Sequence, residues 1–424
     1  MGNRQAVARF PHDKKAAAMS IKAYKYRIYA NKATIDKLQW VLDRARELYN
    51  AALAERKEAW RMTAKSISVY EQKRDMVEIK EQIRPEYQEI ASHVLQDVLF
   101  RLNKAFTAFF RRVKNGEKAG FPRFKGKNWY DSFTYPDHAG WKLTVEEREE
   151  QGKKKLSGRL HLSKIGMVKV KMHREMAGKI KTLTVKREGQ HWYCVFICEV
   201  ETKKLPLSHE DVGIDLGVTH FAALSNGEFI DHPRHFRHAE KELAAAQASV
   251  SHKKKGSHRR AKAIKRLTKQ HRKVRNQRRD FHHKASRSLV NRYQVIVFEV
   301  LQTKNLTKVP LPKQDEATGQ YLPNGASAKA GLNKSILDAG WATFTEIVSA
   351  KAASAGREVV FVNPFMTSQA CSGCGSIVKK DLEVRWHSCE CGTELDRDTN
   401  AATNILRLGY KHLAGRAGPT SATA

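Results

Sequence analysis

Gly213-Ile-Asp-Leu-Gly217 is a short apolar segment that carries a single carboxylate, Asp215. Together with Val212 before it, the segment predicts a buried β-strand that ends near the acidic residue. A second apolar run, Val295-Ile-Val-Phe-Glu299, ends on Glu299 in the same way. Carboxylates at the ends of adjacent strands can converge at one edge of a sheet. The two runs therefore predict an α/β domain with an acidic site.

A third acidic candidate lies near the carboxyl end, in Asp396-Arg-Asp-Thr-Asn-Ala-Ala402. Here Asp398 opens a predicted helix, and its carboxylate can join those of Asp215 and Glu299. Three such groups suit a pair of Mg²⁺ ions, because magnesium prefers hard oxygen ligands and two ions can stabilise both attacking and leaving oxygens at a phosphate. The order strand-Asp, strand-Glu, helix-Asp favours Asp215, Glu299 and Asp398 as catalytic residues of a metal-dependent nuclease.

Each of these signals has another interpretation when it is taken alone. Gly-Ile-Asp-Leu-Gly also occurs in the phosphate loop of actin-like ATPases, and Glu299 could be an ordinary charge at a strand end. Asp396 competes with Asp398 for the third position, because an Asp there could simply cap the helix. The order of the three elements is what favours the nuclease.

Four of the six cysteines are clustered as Cys371-Ser-Gly-Cys374 and Cys389-Glu-Cys391, with fourteen residues between the two pairs. Four thiolates at this spacing predict a structural zinc site. The second pair is shorter than usual, so His387 remains a candidate ligand, and a redox pair is the alternative. Because the cluster lies between Glu299 and Asp398, we expect a zinc ribbon inserted in the catalytic domain, where it holds the Asp398 segment and nucleic acid.

The charge of the chain indicates a polyanionic partner. Its 424 residues include 78 Lys and Arg against 44 Asp and Glu, a formal net charge of +34. Nucleic acid is the obvious polyanion, and the stretch from His252 to Arg287, whose only acidic residue is Asp280, is predicted to neutralise phosphates. No apolar run approaches a membrane span, the first residues lack a secretory signal, and the cysteine usage fits a reducing compartment. A cytosolic location is therefore expected.

The first half of the chain predicts a β-barrel with a helical insertion. Alternating residues predict a strand at Ile21–Tyr29, helical periodicity follows to about Lys114, and strand-like segments continue to about Val200. Cys194 and Cys198 in the last strand are predicted to be core residues. Between the helices and these strands, five aromatic residues alternate with Lys and Arg and could either stack on unpaired bases or form the barrel core: Phe121, Phe124, Trp129, Phe133 and Tyr135.

The second half alternates strands with helices. Beyond the two acidic strands, a polar loop is expected over roughly 304–329. The pattern predicts a helix from Ile336 to Ala353, a strand from Val359 to Val362 and a last helix from about Asn400 to His412.

The chain resembles the transposon-encoded TnpB family of RNA-guided DNA endonucleases, ancestors of the type V CRISPR effectors. The resemblance extends from about Ile21 to Tyr410. Its most specific motifs are Thr367-Ser-Gln-Ala-Cys-Ser-Gly-Cys-Gly375 and Asp396-Arg-Asp-Thr-Asn-Ala-Ala402. Further matching segments are Tyr24–Ile28, Gly120–Phe124, Ser132–Tyr135, Gly213–Gly217, Arg279–Lys284 and Asn333–Ile336.

The resemblance implies an α/β multidomain fold, in which a wedge-like β-barrel with a helical recognition insert precedes a RuvC (RNase H-like) nuclease domain with an inserted zinc ribbon. The implied segments are a basic leader at 1–19, the barrel at 20–210 with its helical insert at about 33–114, the RuvC-like domain at 211–365 with a basic helical insert at about 235–293, the zinc ribbon at 366–394, the end of the RuvC-like domain at 395–411 and a disordered tail at 412–424.

The resemblance also implies an activity: cleavage of double-stranded DNA, directed by a guide RNA, next to a short transposon-associated motif. Asp215, Glu299 and Asp398 match the family's catalytic residues, which bind two Mg²⁺ ions. The residues that match its zinc ligands are Cys371, Cys374, Cys389 and Cys391. The alternatives are a nuclease-inactive RNA-guided repressor, a small type V CRISPR effector and strand transfer without RNA; the three intact carboxylates argue against the repressor.

Overall fold

The computed structural model describes residues 19–150, 153–202, 204–381 and 383–416. They divide into two compact units, of which the first ends at Glu201 and the second begins at Thr202. Most of the expected leader, residues 1–18, and the last eight residues of the expected tail lie outside the described part. None of the described helices is long and apolar enough to cross a membrane.

The first unit contains an antiparallel sheet of seven strands, in the spatial order β2-β6-β7-β1-β5-β4-β3. The strands are β1 Met19–Tyr29, β2 Ser132–Tyr135, β3 Trp141–Glu150, β4 Lys153–Leu162, β5 Gly166–Lys171, β6 Lys179–Glu188 and β7 His191–Glu201. Strand β1 lies at the centre, and its alternate residues Tyr24, Tyr26 and Ile28 are buried, as the pattern predicts. Cys194 and Cys198 are fully buried in β7, also as predicted.

The expected barrel is only half formed. In the described sheet β2 and β3 are the two edge strands and do not pair with each other, so the sheet is a curled half-barrel. The edge strand β2 has only four residues, and the three-residue turn His138–Gly140 lies between it and β3. So short an edge offers few backbone groups for pairing. The correction concerns closure, since strands occur in the part of the chain where the sequence predicts them.

A helical layer is inserted between β1 and β2. It consists of α1 Lys32–Thr63, α2 Val69–Glu78 and α3 Ser92–Lys114, with a single π turn at Ile79–Ile83 and a 3-10 turn at Pro85–Glu89 between the last two. Apolar residues at helical spacing, such as Leu38 and Leu42 on α1 and Val98 and Leu102 on α3, are buried in the same core as the sheet. The helical stripe therefore packs as its periodicity predicts.

The second unit is built on a sheet of five strands in the order β10-β9-β8-β11-β14. Its strands are β8 Asp211–Asp215, β9 His220–Leu224, β10 Phe229–Asp231, β11 Val295–Glu299 and β14 Glu358–Val362. Strands β8, β11 and β14 are parallel, whereas β9 is antiparallel to β8 and β10 is antiparallel to β9. Helices cover both faces, which is why β8 and β11 are apolar runs rather than alternating ones.

The helices of this unit are α4 His235–Ser251, α5 His258–Arg292, α6 Thr303–Leu306, α7 Ala326–Ala339, α8 Trp341–Ala355 and α9 Arg397–Arg416. Two small hairpins complete it, β12 Lys313–Gln314 with β13 Tyr321–Leu322 and β15 Trp386–Ser388 with β16 Glu394–Asp396. Residues of β8 and β11 share one core with α5 and α8, and Val297 on the opposite face packs with Ile405 of α9. The sheet is thus held between two helical layers.

Three predictions about the helices of this unit are corrected. The helix expected at Ile336–Ala353 is two helices, because Gly340 between α7 and α8 has φ +64, a left-handed conformation that ends a helix. The polar loop expected at 304–329 includes most of α6 and the β12–β13 hairpin. Helix α9 continues to Arg416, so residues 412–416 of the expected tail are helical.

Candidate active site

Asp215 and Glu299 occupy neighbouring positions at one edge of the second sheet. Strands β8 and β11 are parallel, with Ile214 opposite Phe298, so both strands end at the same edge one residue later. The two carboxyl groups are close enough to act on each other's pKa, and the backbone N–H of Leu216 opposes the rise in the pKa of Glu299. The structure therefore brings together the two strand-end acids singled out in the sequence.

Helix α9 brings Asp398 to the same place. The Asp396 side chain accepts hydrogen bonds from the backbone N–H groups of Asp398 (2.8 Å) and Thr399 (3.2 Å), so Asp396 caps the helix. Asp398, in the first turn, is close enough to Asp215 to raise the pKa of that acid. The helix then crosses the sheet closely, because Gly409 has no side chain where a Cβ would stand 2.4 Å from Val297 Cγ2.

The three acids repel one another when ionised. Burial is the largest cause that raises the pKa of Asp215 well above its ordinary value, and the charges of Glu299 and Asp398 raise it further. Burial also raises the pKa of Glu299, although its hydrogen bonds oppose the shift. Asp398 is partly compensated by Arg397 at 3.4 Å. Carboxylates that share a partly buried site need a proton or a cation, and carboxylate oxygens are the ligands that Mg²⁺ prefers. In the described part of the chain the oxygens of these three acids are not drawn together as closely as the four cysteine sulfurs, whose atoms lie within 4.8 Å of one another.

An open cleft lies directly beyond Glu299. It has a volume of about 630 Å³ and is lined by Val300 to Gln302 after β11, by Asn305 and Leu306, and by residues 361–364 at the end of β14 and just beyond it. The parallel strands end on this side of the sheet, which is where ligands bind in open α/β sheets. The cleft therefore adjoins the strand end that carries Glu299.

The four clustered cysteines form a second site. The Sγ atoms of Cys371, Cys374, Cys389 and Cys391 all lie within 4.8 Å of one another, and two of the pairs are 3.6 and 3.7 Å apart. Thiolates around a tetrahedral zinc ion are separated by about 3.8 Å, given a Zn–S bond of roughly 2.3 Å. The short second pair therefore meets the geometry of a zinc site, helped by Gly392 with φ +85.

His387 is fully buried beside this cluster and is not one of the four grouped residues. Its Nδ1 atom contacts the Lys380 ammonium. Burial would raise the pKa of the Cys371 thiol, but the polar groups around it, first the Cys374 backbone N–H and then the His387 and Thr393 side chains, outweigh burial and lower the pKa to about 5. The four sulfurs are the atoms grouped at ligand distance, and His387, whose Nε2 atom has no hydrogen-bond partner among the described residues, is a buried neighbour of the Cys371 thiol.

Two asparagines of α9 tie the cysteine segment to the acidic site. Asn400 accepts from the Ser372 N–H (2.8 Å) and donates to the Ala370 carbonyl (2.8 Å), and Asn404 donates to the Thr367 and Ala370 carbonyls. Both asparagines are buried. Asn400 belongs to the Asp396–Ala402 motif and Asn404 follows it, but the role of neither was predicted, because the hydrogen bonds join residues about thirty positions apart.

The basic helix α5 also makes buried contacts near its carboxyl end. His282 on α5 is buried, donates from Nε2 to the Ala339 carbonyl (2.8 Å) and packs on Phe221. Arg278 pairs at 2.8 Å with Asp338, which is buried and also accepts from the Phe236 N–H. The role of Asp338 was not predictable from the sequence, since a single acid on a helix carries no local pattern.

Three family models match parts of the chain. OrfB_IS605, described as "Probable transposase", matches residues 195–310; the Cas12f1-like TNB domain matches 341–405; and the helix-turn-helix domain HTH_OrfB_IS605 matches 19–65. In the structure the last range contains β1 and the single long helix α1, without a turn between two helices. The second range includes all four clustered cysteines and Asp398.

Relatives match over nearly the whole length. A protein of Streptomyces pristinaespiralis named as an RNA-guided DNA endonuclease is 32% identical, and the alignment covers 92% of this chain and 89% of the relative. The Escherichia coli K12 protein InsQ, named likewise, is 31% identical over 87% of each chain. A Cas12f1 chain, solved in complex with guide RNA and target DNA, shares the fold at TM-score 0.51 and 15% identity, covering 88% of this chain and 82% of that one.

These matches define an insertion-sequence protein of the RNA-guided nuclease class. The chain belongs to the TnpB (OrfB) family of RNA-guided DNA endonucleases.

Proposed function

We propose that this protein cleaves double-stranded DNA at sites chosen by a bound guide RNA, next to a short transposon-associated motif, and that the second unit is a RuvC-type nuclease domain. The observation that carries the proposal is the meeting of Asp215, Glu299 and Asp398 at the carboxyl edge of a sheet with strand order β10-β9-β8-β11-β14. Membership of the family supports the RNA guide.

In this proposal Asp215, Glu299 and Asp398 hold two Mg²⁺ ions. Bound there, the ions would activate water and neutralise the leaving oxygen of a phosphodiester. Burial and the charges of the other two acids disfavour the ionised form of Asp215, so a cation bound nearby would stabilise that form. The Leu216 backbone N–H favours the ionised form of Glu299, and the Asp396 cap holds the turn that presents Asp398. Backbone groups thus help to prepare Glu299 and Asp398 before substrate arrives.

The four cysteines are proposed to hold Zn²⁺, which orders a segment with only two three-residue strands of its own. Through Asn400 and Asn404 that segment braces α9, and so the position of Asp398. Zinc would then act on catalysis through geometry, with no part in the chemistry.

The charge of +34 supports nucleic-acid partners. Guide RNA would select the target by base pairing while the protein holds the heteroduplex through its backbone. We propose that the protein works in the prokaryotic cytosol, where its DNA lies. The nuclease-inactive repressor is the second candidate, but loss of an acidic residue would be its sign, and all three acids are present and adjacent. A small type V CRISPR effector would use the same site.

The test is a cleavage assay with purified protein, the RNA that co-purifies with it, Mg²⁺ and a plasmid library in which the sequence beside the target is randomised. We expect RNA-dependent cutting with one short flanking motif enriched among the cut plasmids. Absence of cutting under every flank, with the RNA bound, would rule the proposal out.

A further inference from the structure

Four aromatic side chains near the end of α3 and in the loop that follows it are exposed. The loop from Gly120 to Trp129, between α3 and β2, leaves Phe121, Phe124 and Trp129 exposed at 44%, 53% and 84% of their surface. Phe110 at the end of α3 is exposed at 61%. We call these four side chains the aromatic surface. Phe133 and Tyr135, a few residues later, are buried, so the aromatic run divides into a core part and an exposed part.

The loop is held in a defined conformation. Asn50 of α1 donates to the Lys125 carbonyl at 3.0 Å and accepts from the Lys125 N–H at 2.7 Å. The Trp129 N–H bonds to the Gly126 carbonyl at 2.9 Å, which closes a turn. Phe121 packs edge-on against Phe109 of α3, with ring centroids 5.3 Å apart. The exposed rings are therefore presented by an anchored backbone.

Almost all of the charged residues in this part of the sequence are positive. Residues 104–127 include eight Lys and Arg and a single acidic residue, Glu117. The Lys57 ammonium lies 5.3 Å above the Phe124 ring, which adds a cation from α1. Exposed rings interleaved with cations match the π faces and phosphates of an unpaired nucleic-acid strand. An apolar protein partner would have no use for so many cations, and a duplex keeps its base faces covered.

We infer that the aromatic surface binds unpaired nucleobases, with Phe124 and Trp129 as stacking residues and the surrounding Lys and Arg on the phosphates. The inference extends the proposed function, because RNA-guided cleavage creates unpaired strands when the duplex opens. The binding itself needs neither the guide nor Mg²⁺, so it can be tested apart from cutting.

The test compares three probes of equal length against the full chain, without guide RNA or added Mg²⁺. The probes are oligothymidylate, oligouridylate and a DNA strand in which every base is replaced by an abasic site, which keeps the phosphates and removes the bases. The variant is Phe124→Ala with Trp129→Ala, and the matched control is Tyr321→Ala, an aromatic residue exposed at 73% in the other unit.

We expect the double variant to bind the thymidylate or uridylate strand at least about 10-fold more weakly, with its affinity for the abasic strand unchanged. The control should bind all probes as the wild type does, and the stronger natural strand would identify DNA or RNA as the ligand. Equal loss on the abasic strand, or no loss at all, would overturn the inference. So would a concentration-dependent dimer that the double variant abolishes, because the rings would then serve self-association.

Discussion

Gly213 of β8 lies directly beneath Ala402 of α9: a Cβ built on Gly213 would stand 2.1 Å from the Ala402 carbonyl oxygen and 2.6 Å from the Leu406 nitrogen. Only glycine allows so close an approach of helix backbone to strand. Because Asp215 is two residues beyond Gly213 and Asp398 is one turn before Ala402, this contact sets the distance between the two acids.

We therefore expect Gly213→Ala to push α9 away from the sheet. Overpacking of this kind costs about 1–3 kcal/mol, and the shift of Asp398 should reduce cutting beyond what the lost stability explains. Urea unfolding and cleavage rate are the measurements. Gly331→Ala is the control, since its Cβ would lie in open space on α7 and should not lower stability. A Gly213→Ala protein as stable and active as the control would refute the close contact.

Asp215→Asn should stabilise the metal-free protein. Burial and the charges of Glu299 and Asp398 raise the pKa of Asp215, so the stability that its protonated form contributes is lost as pH rises through that raised pKa. The neutral amide avoids this loss, and we expect a gain of about 1 kcal/mol at pH 8. Thermal melting from pH 5 to pH 8 measures it. Addition of Mg²⁺ should raise the melting temperature of the wild type more than that of Asp215→Asn. An Asn variant that is less stable at pH 8 would contradict the crowded-acid account.

The cysteine site gives a spectroscopic prediction. With Co²⁺ in place of Zn²⁺, we expect the charge-transfer absorption of four thiolates, and Cys391→Ser should reduce it. His387→Gln should keep the four-thiolate spectrum while weakening zinc binding about 10-fold, the effect of removing a group that orients a ligand. If His387→Gln instead gives the spectrum of a lost nitrogen ligand, His387 binds the metal and one cysteine does not.

The Arg278–Asp338 pair predicts an effect on stability that does not involve the three acids. Asp338→Ala leaves the Phe236 N–H and Arg278 without their acceptor, and we expect a loss of about 2–3 kcal/mol. Asp280→Asn is the control, because Asp280 on the same helix as Arg278 is exposed and pairs only across the helix surface with Lys284. Equal unfolding midpoints for the two variants in urea would show that the buried pair contributes little.

Local patterns were enough to predict the elements that carry the site. Asp215 and Glu299 end apolar runs, and the register between β8 and β11 places those ends together. Asp396 and Asp398 could not be separated by sequence, because both open the same helix; the hydrogen bonds of the cap distinguish them.

The remainder depended on long-range contacts. The bonds from Asn400 and Asn404 to the cysteine segment, and the acceptor role of Asp338, join residues that no periodicity relates. The exposed and the buried aromatic residues occur in similar sequence surroundings, so the sequence does not distinguish them. Trp129 lies in the loop and is exposed, whereas Phe133 lies in β2 and is buried. The prediction of a closed barrel was wrong for the same reason, since the sequence of one edge strand does not determine whether it pairs with the other.

The central claim is that the three acids cut DNA chosen by RNA. Its most direct test is a plasmid assay with wild type and Asp215→Asn, each loaded with a guide that matches or does not match the target. We expect the wild type with matched guide and Mg²⁺ to cut, and Asp215→Asn to bind the same target with equal affinity while cutting falls by about 10³-fold. Undiminished cutting by Asp215→Asn, or equal cutting with an unmatched guide, would contradict the claim.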